Sequence, residues 1–401
     1  MGSWKSPSRK GLAMALGVLS TFWLSTVPFI LTPAMNRLGE YYSAVPYSRV
    51  LILSTVVALM VVPFSLLSGA VVGRKVGYRP MLLASIALML VGGMAPYLFP
   101  DRFWPVMACR VVCGVGVGLS YPLCNALVAR LYDGETQGRM MGAAMMSMNL
   151  SGMLYQSVSG AACAADVRNV WLVHGVLLVP LVLVFFFLPE PEREGTAEPG
   201  ALERPADSFF SMRVVVISFA CCLLYILVNT VILNVSAVLA VRNLGDSAAA
   251  GMVSSTYAVG GLLSSLLYNR MYRGMGRWMV HFSLAMLGLG TACCGFGGSL
   301  ALMVASEMCV GFATYLLWPG CCSDFAAMVS PDRLPLANGV ISALWNLGVF
   351  LSAPYMGVVS GLTGDASPVT AVRVTLWLML ALSAVWTVAR LRRPAKYERA
   401  K

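Results

Sequence analysis

The sequence predicts an all-α membrane protein of twelve spanning helices arranged as two pseudo-symmetric six-helix bundles. Three observations carry that prediction. Hydrophobic residues make up 58% of the 401-residue chain and charged residues only 11%, against about 25% charged in a soluble domain. Apolar stretches of about 20 residues recur along the whole length, each enough to cross a hydrocarbon core of about 30 Å. The second half also lies over the first at a shift of 197 positions. Arg110, Gly114 and Pro122 then fall on Glu307, Gly311 and Pro319, while Gly142, Asn149, Leu150 and Gly160 fall on Gly339, Asn346, Leu347 and Gly357. Gly and Pro set backbone geometry, so their recurrence argues for a repeated helical architecture. A half-length repeat in so apolar a chain is the mark of a transporter built from two related halves.

The elements follow in order. The first span, near 11–35, comes after the basic lead-in Lys5, Arg9 and Lys10. Its apolar run is long for a cleavable signal and lacks a small-x-small exit, so it reads as a retained helix. Spans near 48–72 and 80–99 flank a basic loop, and spans near 103–130, 140–163 and 169–189 complete a first bundle over 1–189. Residues 190–211 break the pattern: Glu190, Glu192, Glu194, Glu198, Glu203 and Asp207 lie among Pro, Gly and Ala. That segment is polar and too short to fold alone, so a flexible linker is expected. The second bundle, 212–401, has spans near 213–240, 248–269, 278–297, 299–328, 336–361 and 371–391. The halves align from the second helix, Leu66-Leu67-Ser68 against Leu262-Leu263-Ser264, through the fifth.

The net charge of +11 is a matter of topology, not of nucleic-acid binding. With the N-terminus inside, 21 of the 28 Lys and Arg residues fall on the linker side and six on the other, with Arg110 alone in a span. An excess of that size orients the chain with both termini and the linker in the cytoplasm, in the cytoplasmic (inner) membrane. All 11 cysteines lie in predicted spans without metal spacing, and they read as small apolar packers. The sequence holds no nucleophile–His–acid set and no nucleotide-binding motif. Gly114, Gly116 and Gly118 follow no strand and lack the P-loop lysine. No cofactor, no enzyme activity and no nucleic-acid partner are expected; the expected partners are a small-molecule substrate, protons and the lipid bilayer, with the chain a monomer.

Arg110, Glu307 and Asp324 are the formally charged residues well inside spans, where a charge costs about 2.5–3.5 kcal/mol at mid-helix and should face protein or a water-filled cavity. Glu307, Gly311, Tyr315 and Trp318 share one helical face, as do Arg110, Gly114, Val117 and Tyr121. Two readings stay open: a coupling or substrate-binding pair, Arg110 with Glu307, across a central cavity, or buried braces satisfied by backbone carbonyls. Asp324, nearer a helix end, reads as a gate or interface brace. Asn149 and Asn346 occupy equivalent sites, and Gln156 shares a face with Asn149. These amides can meet a polar substrate or join helix to helix. Tyr315, Trp318 and Trp345 are aromatic candidates for the cavity wall, each with packing as the plain alternative. His174 and His281 read as satisfied structural histidines.

Three local patterns resemble the major facilitator superfamily, over essentially the whole chain. The loop Ala70-Val-Val-Gly-Arg74-Lys75-Val-Gly77-Tyr-Arg79-Pro80 is similar to that family's Gly-x-x-x-Asp-Arg-x-Gly-Arg-Lys loop, with a weaker copy at Arg273-Gly-Met-Gly276-Arg277. Lys75, Gly77 and Arg79 fit, whereas Arg74 stands at the position of the Asp that latches the halves together. Arg110-Val-Val-Cys-Gly114-Val-Gly116-Val-Gly118 resembles the Arg-x-x-x-Gly-x-Gly run of drug/proton antiporters. Gly152 to Gly160 occupies the place of their Gly-Pro motif, without the Pro. The resemblance implies the major facilitator fold and alternating access about a midplane site. The leading reading is export of amphipathic compounds in exchange for protons carried by Glu307; the alternative is uptake or exchange of a small metabolite or an organic anion held by Arg110, and, from another class, a non-transporting membrane sensor or a polytopic membrane enzyme. The loop residues, Asp324 and the close-approach glycines Gly114 and Gly118 are the expected gating elements.

Overall fold

The computed structural model describes residues 9–73, 75–191, 212–326 and 334–391. Helix 1 is composite: α-helical over Arg9–Thr21, 3₁₀ over Phe22–Ala34, and α-helical again over Met35–Tyr41. Helix 2 spans Tyr47–Val71, helix 3 Tyr78–Met94, helix 4 Phe103–Leu131 and helix 5 Gly134–Ala165. Helix 6 begins as a 3₁₀ segment, Val167–Leu177, and continues as Leu178–Phe187. In the second half, helix 7 spans Met212–Val241, helix 8 Ser247–Met275, helix 9 Met279–Phe296, helix 10 Leu300–Ala326, helix 11 Leu334–Thr363 and helix 12 Pro368–Leu391. Eleven of these described rods are long and apolar enough to cross a membrane. Helix 5 falls outside that set because Asn149, Gln156 and four serines interrupt its apolar surface.

Each half has its own apolar core. Helix 2 packs on helix 4 and helix 3 on helix 4 in the first half; helix 8 packs on helix 10 and helix 9 on helices 10 and 12 in the second. The halves meet chiefly through helix 5 against helix 8 and helix 2 against helix 11, with helix 1 touching helices 7 and 8.

Helix 1 departs from α geometry for a reason legible in its residues. Pro28 and Pro33 supply no backbone N–H, so carbonyls one turn earlier lose their donor. Elsewhere in the segment, hydroxyls from three neighbouring helices meet its carbonyls. Ser54 of helix 2 donates to the Pro28 carbonyl at 3.4 Å, Ser159 of helix 5 to the Ile30 carbonyl, and Ser236 of helix 7 to the Thr32 carbonyl at 3.3 Å. The last of these joins the two halves at the end remote from the linker.

At the linker end, the start of helix 3 is held by a residue that sequence reading assigns to the linker. The Glu190 carboxylate accepts hydrogen bonds from the backbone N–H of Tyr78 at 2.6 Å and of Arg79 at 2.9 Å. These are otherwise unmatched donors of the first helical turn, where the helix dipole also favours an anion. Gly77 leaves the room for it, since a Cβ there would lie 2.7 Å from the Glu190 carboxyl carbon. The Arg79 guanidinium donates to the Phe185 carbonyl and stacks on its ring, fixing the same corner. Glu190→Ala should lower stability by about 1 kcal/mol, the usual cost of a lost cap. Gly77→Ala should cost at least as much. Because both act on one contact, thermal unfolding of the double variant should show less than the summed loss.

Candidate functional site

The far ends of the two halves are in contact. At the crossing of helices 5 and 8, a Cβ on Gly160 would meet the Gly251 Cα at 2.7 Å and the Ser247 carbonyl oxygen at 2.5 Å. A Cβ on Gly251 would meet the Gln156 carbonyl at 2.6 Å. Further along the same pair, Asn149 Oδ1 and the Tyr315 ring both come within 2.8 Å of where a Cβ on Gly261 would sit. Beyond that level the helices part: Gly138 and Gly142 of helix 5 and Gly274 of helix 8 face open space. The halves close at the Gly160–Gly251 crossing, and we read the open space at the linker ends of helices 5 and 8 as the mouth of a cleft between them.

Helices 1, 5, 8 and 10 bring an aromatic and amide set to the top of this cleft. The Tyr257 ring centroid lies 6.0 Å from that of Phe29 and 6.0 Å from that of Tyr315, linking the halves through rings. Trp23 meets Tyr155 edge-on at 6.4 Å and donates to Ser147 Oγ at 3.0 Å. Asn149 is fully buried, its Nδ2 donating to the Met145 carbonyl at 2.9 Å and its Oδ1 without a partner among the described residues. Asn346 repeats the first of these contacts on helix 11, Nδ2 to the Ser342 carbonyl at 2.9 Å. Trp345 lies beside it, its ring tilted by 34° against that of Tyr225 of helix 7 with centroids 3.5 Å apart. Gln156 is buried at the helix 5–helix 8 crossing.

The expected pairing of Arg110 with Glu307 across the cavity is not what the structure holds. Arg110 turns into its own half, where Nε donates to the Leu53 carbonyl at 2.9 Å and Nη1 donates to His174 Nε2 at 3.0 Å. Because a guanidinium only donates, His174 must accept at Nε2 and carry its proton on Nδ1, which lies 3.1 Å from the Trp171 carbonyl. The expected structural histidine is thus a partner of the buried arginine. Glu307 turns into the second half. It is fully buried, and neither carboxyl oxygen has a hydrogen-bond partner among the described residues. Tyr257 and Cys294 lie within electrostatic range of it. The repeat makes the two positions equivalent, and equivalent positions point into equivalent bundle interiors. That is why a symmetric pair of charges does not meet at the interface.

The other sequence candidates divide cleanly. Gly114 and Gly118 let helix 4 lie against helix 2 inside the first half: Cβ atoms there would come within 2.9 Å of Val57 Cα and 2.8 Å of Phe64 Cβ. Lys75 and Gly77 form the tight turn before helix 3, where the Gly73 N–H donates to the Val76 carbonyl at 2.8 Å. Asn229 donates to Ser352 Oγ at 2.8 Å and joins helix 7 to helix 11. Arg74 lies outside the described residues, as do the side chains of Trp318 and Asp324. Sequence reasoning missed Glu190 and the helix 1 hydroxyl contacts. The signals were present in Leu188-Pro189-Glu190 at a helix end and in Pro28 and Pro33 inside a span.

Comparison with known proteins agrees with this architecture. No curated protein matches the sequence significantly. Among solved structures, the chain is similar to a point mutant of the nucleoside transporter NupG, with TM-score 0.81 and 12% identity over 94% of this chain and 99% of that one. It is similar also to the POT family transporter PepTSo, with TM-score 0.74 and 12% identity over 97% and 98% of the two chains. For a D-xylose–proton symporter the TM-score is 0.64, with 18% identity over 92% and 96%. Identities so low speak for the fold alone. The sequence itself matches the Major Facilitator Superfamily profile over residues 11–240 and again over 217–401. With the family profile matched over both halves, one conclusion follows: this chain belongs to the Major Facilitator Superfamily and is a membrane transporter of a small solute.

Proposed function

We infer that the protein exports small amphipathic organic molecules by alternating access in exchange for protons, with Glu307 as the proton carrier. The observation that supports the coupling is the isolation of Glu307, buried in the second half with neither oxygen partnered. A mid-membrane charge costs about 2.5–3.5 kcal/mol, and nothing described around Glu307 offsets that cost. A change of partner at this carboxyl therefore requires the rearrangement that the other state would bring. Tyr257, within electrostatic range of Glu307, is packed on Phe29 and Tyr315, so movement of the rings would link cleft occupancy to proton access. Export is favoured by the helix 4 run from Arg110 to Gly118, which resembles that of drug/proton antiporters.

Both termini and the linker lie in the cytoplasm, a reading supported by the excess of basic residues on the linker side, and the protein works as a monomer in the inner membrane. The cleft then faces the cytoplasm, ready for internal solute. The two bundles, 1–189 and 212–401, would rock about the cleft with 190–211 as their tether. Uptake of an anion held by Arg110 is the weaker reading, because that buried guanidinium turns Nε and Nη1 to Leu53 and His174 inside the first half.

The test uses proteoliposomes with a pH-sensitive dye in the lumen. Adding a transported solute should move lumenal pH in the direction of proton counterflow, and an imposed pH gradient should accumulate solute against its own gradient. Solute flux that is equal with and without the gradient, at constant lumenal pH, would remove proton coupling.

A further inference from the structure

The geometry points to a substrate class: an uncharged, flat-faced organic molecule that carries hydrogen-bond donors, received by Asn149 and Asn346 as acceptors. This inference rests on the reading of the cleft as the transport path. It comes first from the amides. The carbonyls of Met145 and Ser342 can only accept, so each Asn must turn its NH₂ inward to its own helix, at 2.9 Å in both cases. That commitment fixes which amide atom is left over. At Asn149 it is an oxygen with no partner among the described residues, fully buried at the junction of the halves. Leaving a buried acceptor without a donor is costly, and a bound N–H or O–H satisfies it. The same backbone contact recurs at the repeat-equivalent Asn346, so the remaining atom of that amide is an acceptor as well.

The second observation concerns what surrounds that oxygen. The Tyr315 ring edge meets it at Gly261, and Tyr257 and Phe29 continue the aromatic wall. Ring faces and edges bind flat π surfaces and apolar bodies. Third, among the described side chains no fixed charge serves this place. Arg110 turns its Nε and Nη1 to Leu53 and His174 inside the first half, and Glu307 is fully buried in the second. A carboxylate or phosphate would meet an amide oxygen, which repels it, and a cation would lack a counter-charge in an apolar setting. Aromatic amides, nucleobases and nucleosides meet all three requirements; their acids and phosphates do not.

The experiment measures equilibrium binding to the full-length protein in nanodiscs, with no gradient present. The probes are matched pairs: nicotinamide against nicotinate, and uridine against uridine monophosphate. The neutral member of a pair should bind at least about tenfold tighter than its charged partner. N,N-dimethylnicotinamide, which lacks the donors, should lose about tenfold relative to nicotinamide on the unaltered protein, a readout independent of any variant's folding. Asn149→Leu should weaken the neutral probe by about tenfold or more, the order of 1.4 kcal/mol for one hydrogen bond. Asn149→Asp retains an acceptor and the side-chain shape, and should hold the neutral probe far better than the Leu variant.

Equal or tighter binding of the charged members, unchanged binding of the dimethyl analogue, or no binding of either neutral probe at millimolar concentration would overturn the inference. The proteoliposome assay fails separately. Selective binding of neutral probes without gradient-driven flux would leave the substrate class standing and remove proton coupling.

Discussion

Glu307→Gln should reduce pH-gradient-driven solute accumulation to the level of protein-free liposomes, while solute exchange without a gradient stays within about twofold of the unaltered protein. The amide matches the carboxyl in shape and fits the same enclosed space, but it cannot release a proton. If Glu307 carries the coupled proton, only the steps that need its titration are lost. Binding to the cleft is spared because Glu307 is fully buried in the second half. The same position has a stability signature. A buried carboxyl whose two oxygens are both unpartnered withholds about 1–3 kcal/mol for each unsatisfied group. Glu307→Met, which keeps the length and removes both oxygens, should therefore raise the melting temperature while abolishing coupled transport. A residue that lowers stability in place and serves function in motion shows this opposition. Lowered stability in the Met variant would mean that Glu307 is a brace with partners beyond the described residues. Unchanged gradient-driven transport in the Gln variant would remove it from the mechanism and make Asp324 the next carboxyl to test.

The contrast between Arg110 and Glu307 marks how far sequence reasoning reached. Apolar length alone placed the spans, since each helix must satisfy its own backbone in lipid. The 197-residue repeat correctly made residues 110 and 307 equivalent. Equivalence fixes a position's depth and its place in its own bundle, but not the direction of its side chain toward the other bundle. Helical periodicity has the same limit. It grouped Glu307 with Tyr315 on one face, yet the packing of helix 10 against helix 8 separates a buried carboxyl from a ring that reaches the cleft. The Arg110–His174 contact was beyond reach for another reason: it joins helices 4 and 6 over 64 positions, and no local pattern encodes it. The Glu190 cap was closer to hand. A carboxylate just past the end of helix 6 is a ready anion for a nearby helix start, but acidic company in 190–207 disguised it as linker.

The glycine crossing gives the remaining large prediction. Gly160→Val should shift the protein out of the state described here and expose the far end of the cleft. A Cβ at Gly160 would lie 2.5 Å from the Ser247 carbonyl oxygen and 2.7 Å from the Gly251 Cα. Both are backbone atoms, so no side-chain rotation relieves the overlap; the helices must separate. Overpacking of this kind costs about 1–3 kcal/mol, which is roughly a 5- to 150-fold shift in a two-state equilibrium. The cost falls on the state in which the far ends touch, and is absent when alternating access parts them. Ser236 and Thr32 form the neighbouring polar contact between the halves, at 3.3 Å, and should release together with the crossing. Cysteine introduced at Ser236 should therefore react faster with a membrane-impermeant maleimide applied from the far side in the Gly160→Val background. Transport should fall, because the cycle loses its closed far end. Gly142→Val, on the same helix with open space around it, should leave the labelling rate as it was. That control separates the crossing from a general effect of adding bulk to helix 5. Equal labelling in both variants would mean that Gly160 and Gly251 pack without gating.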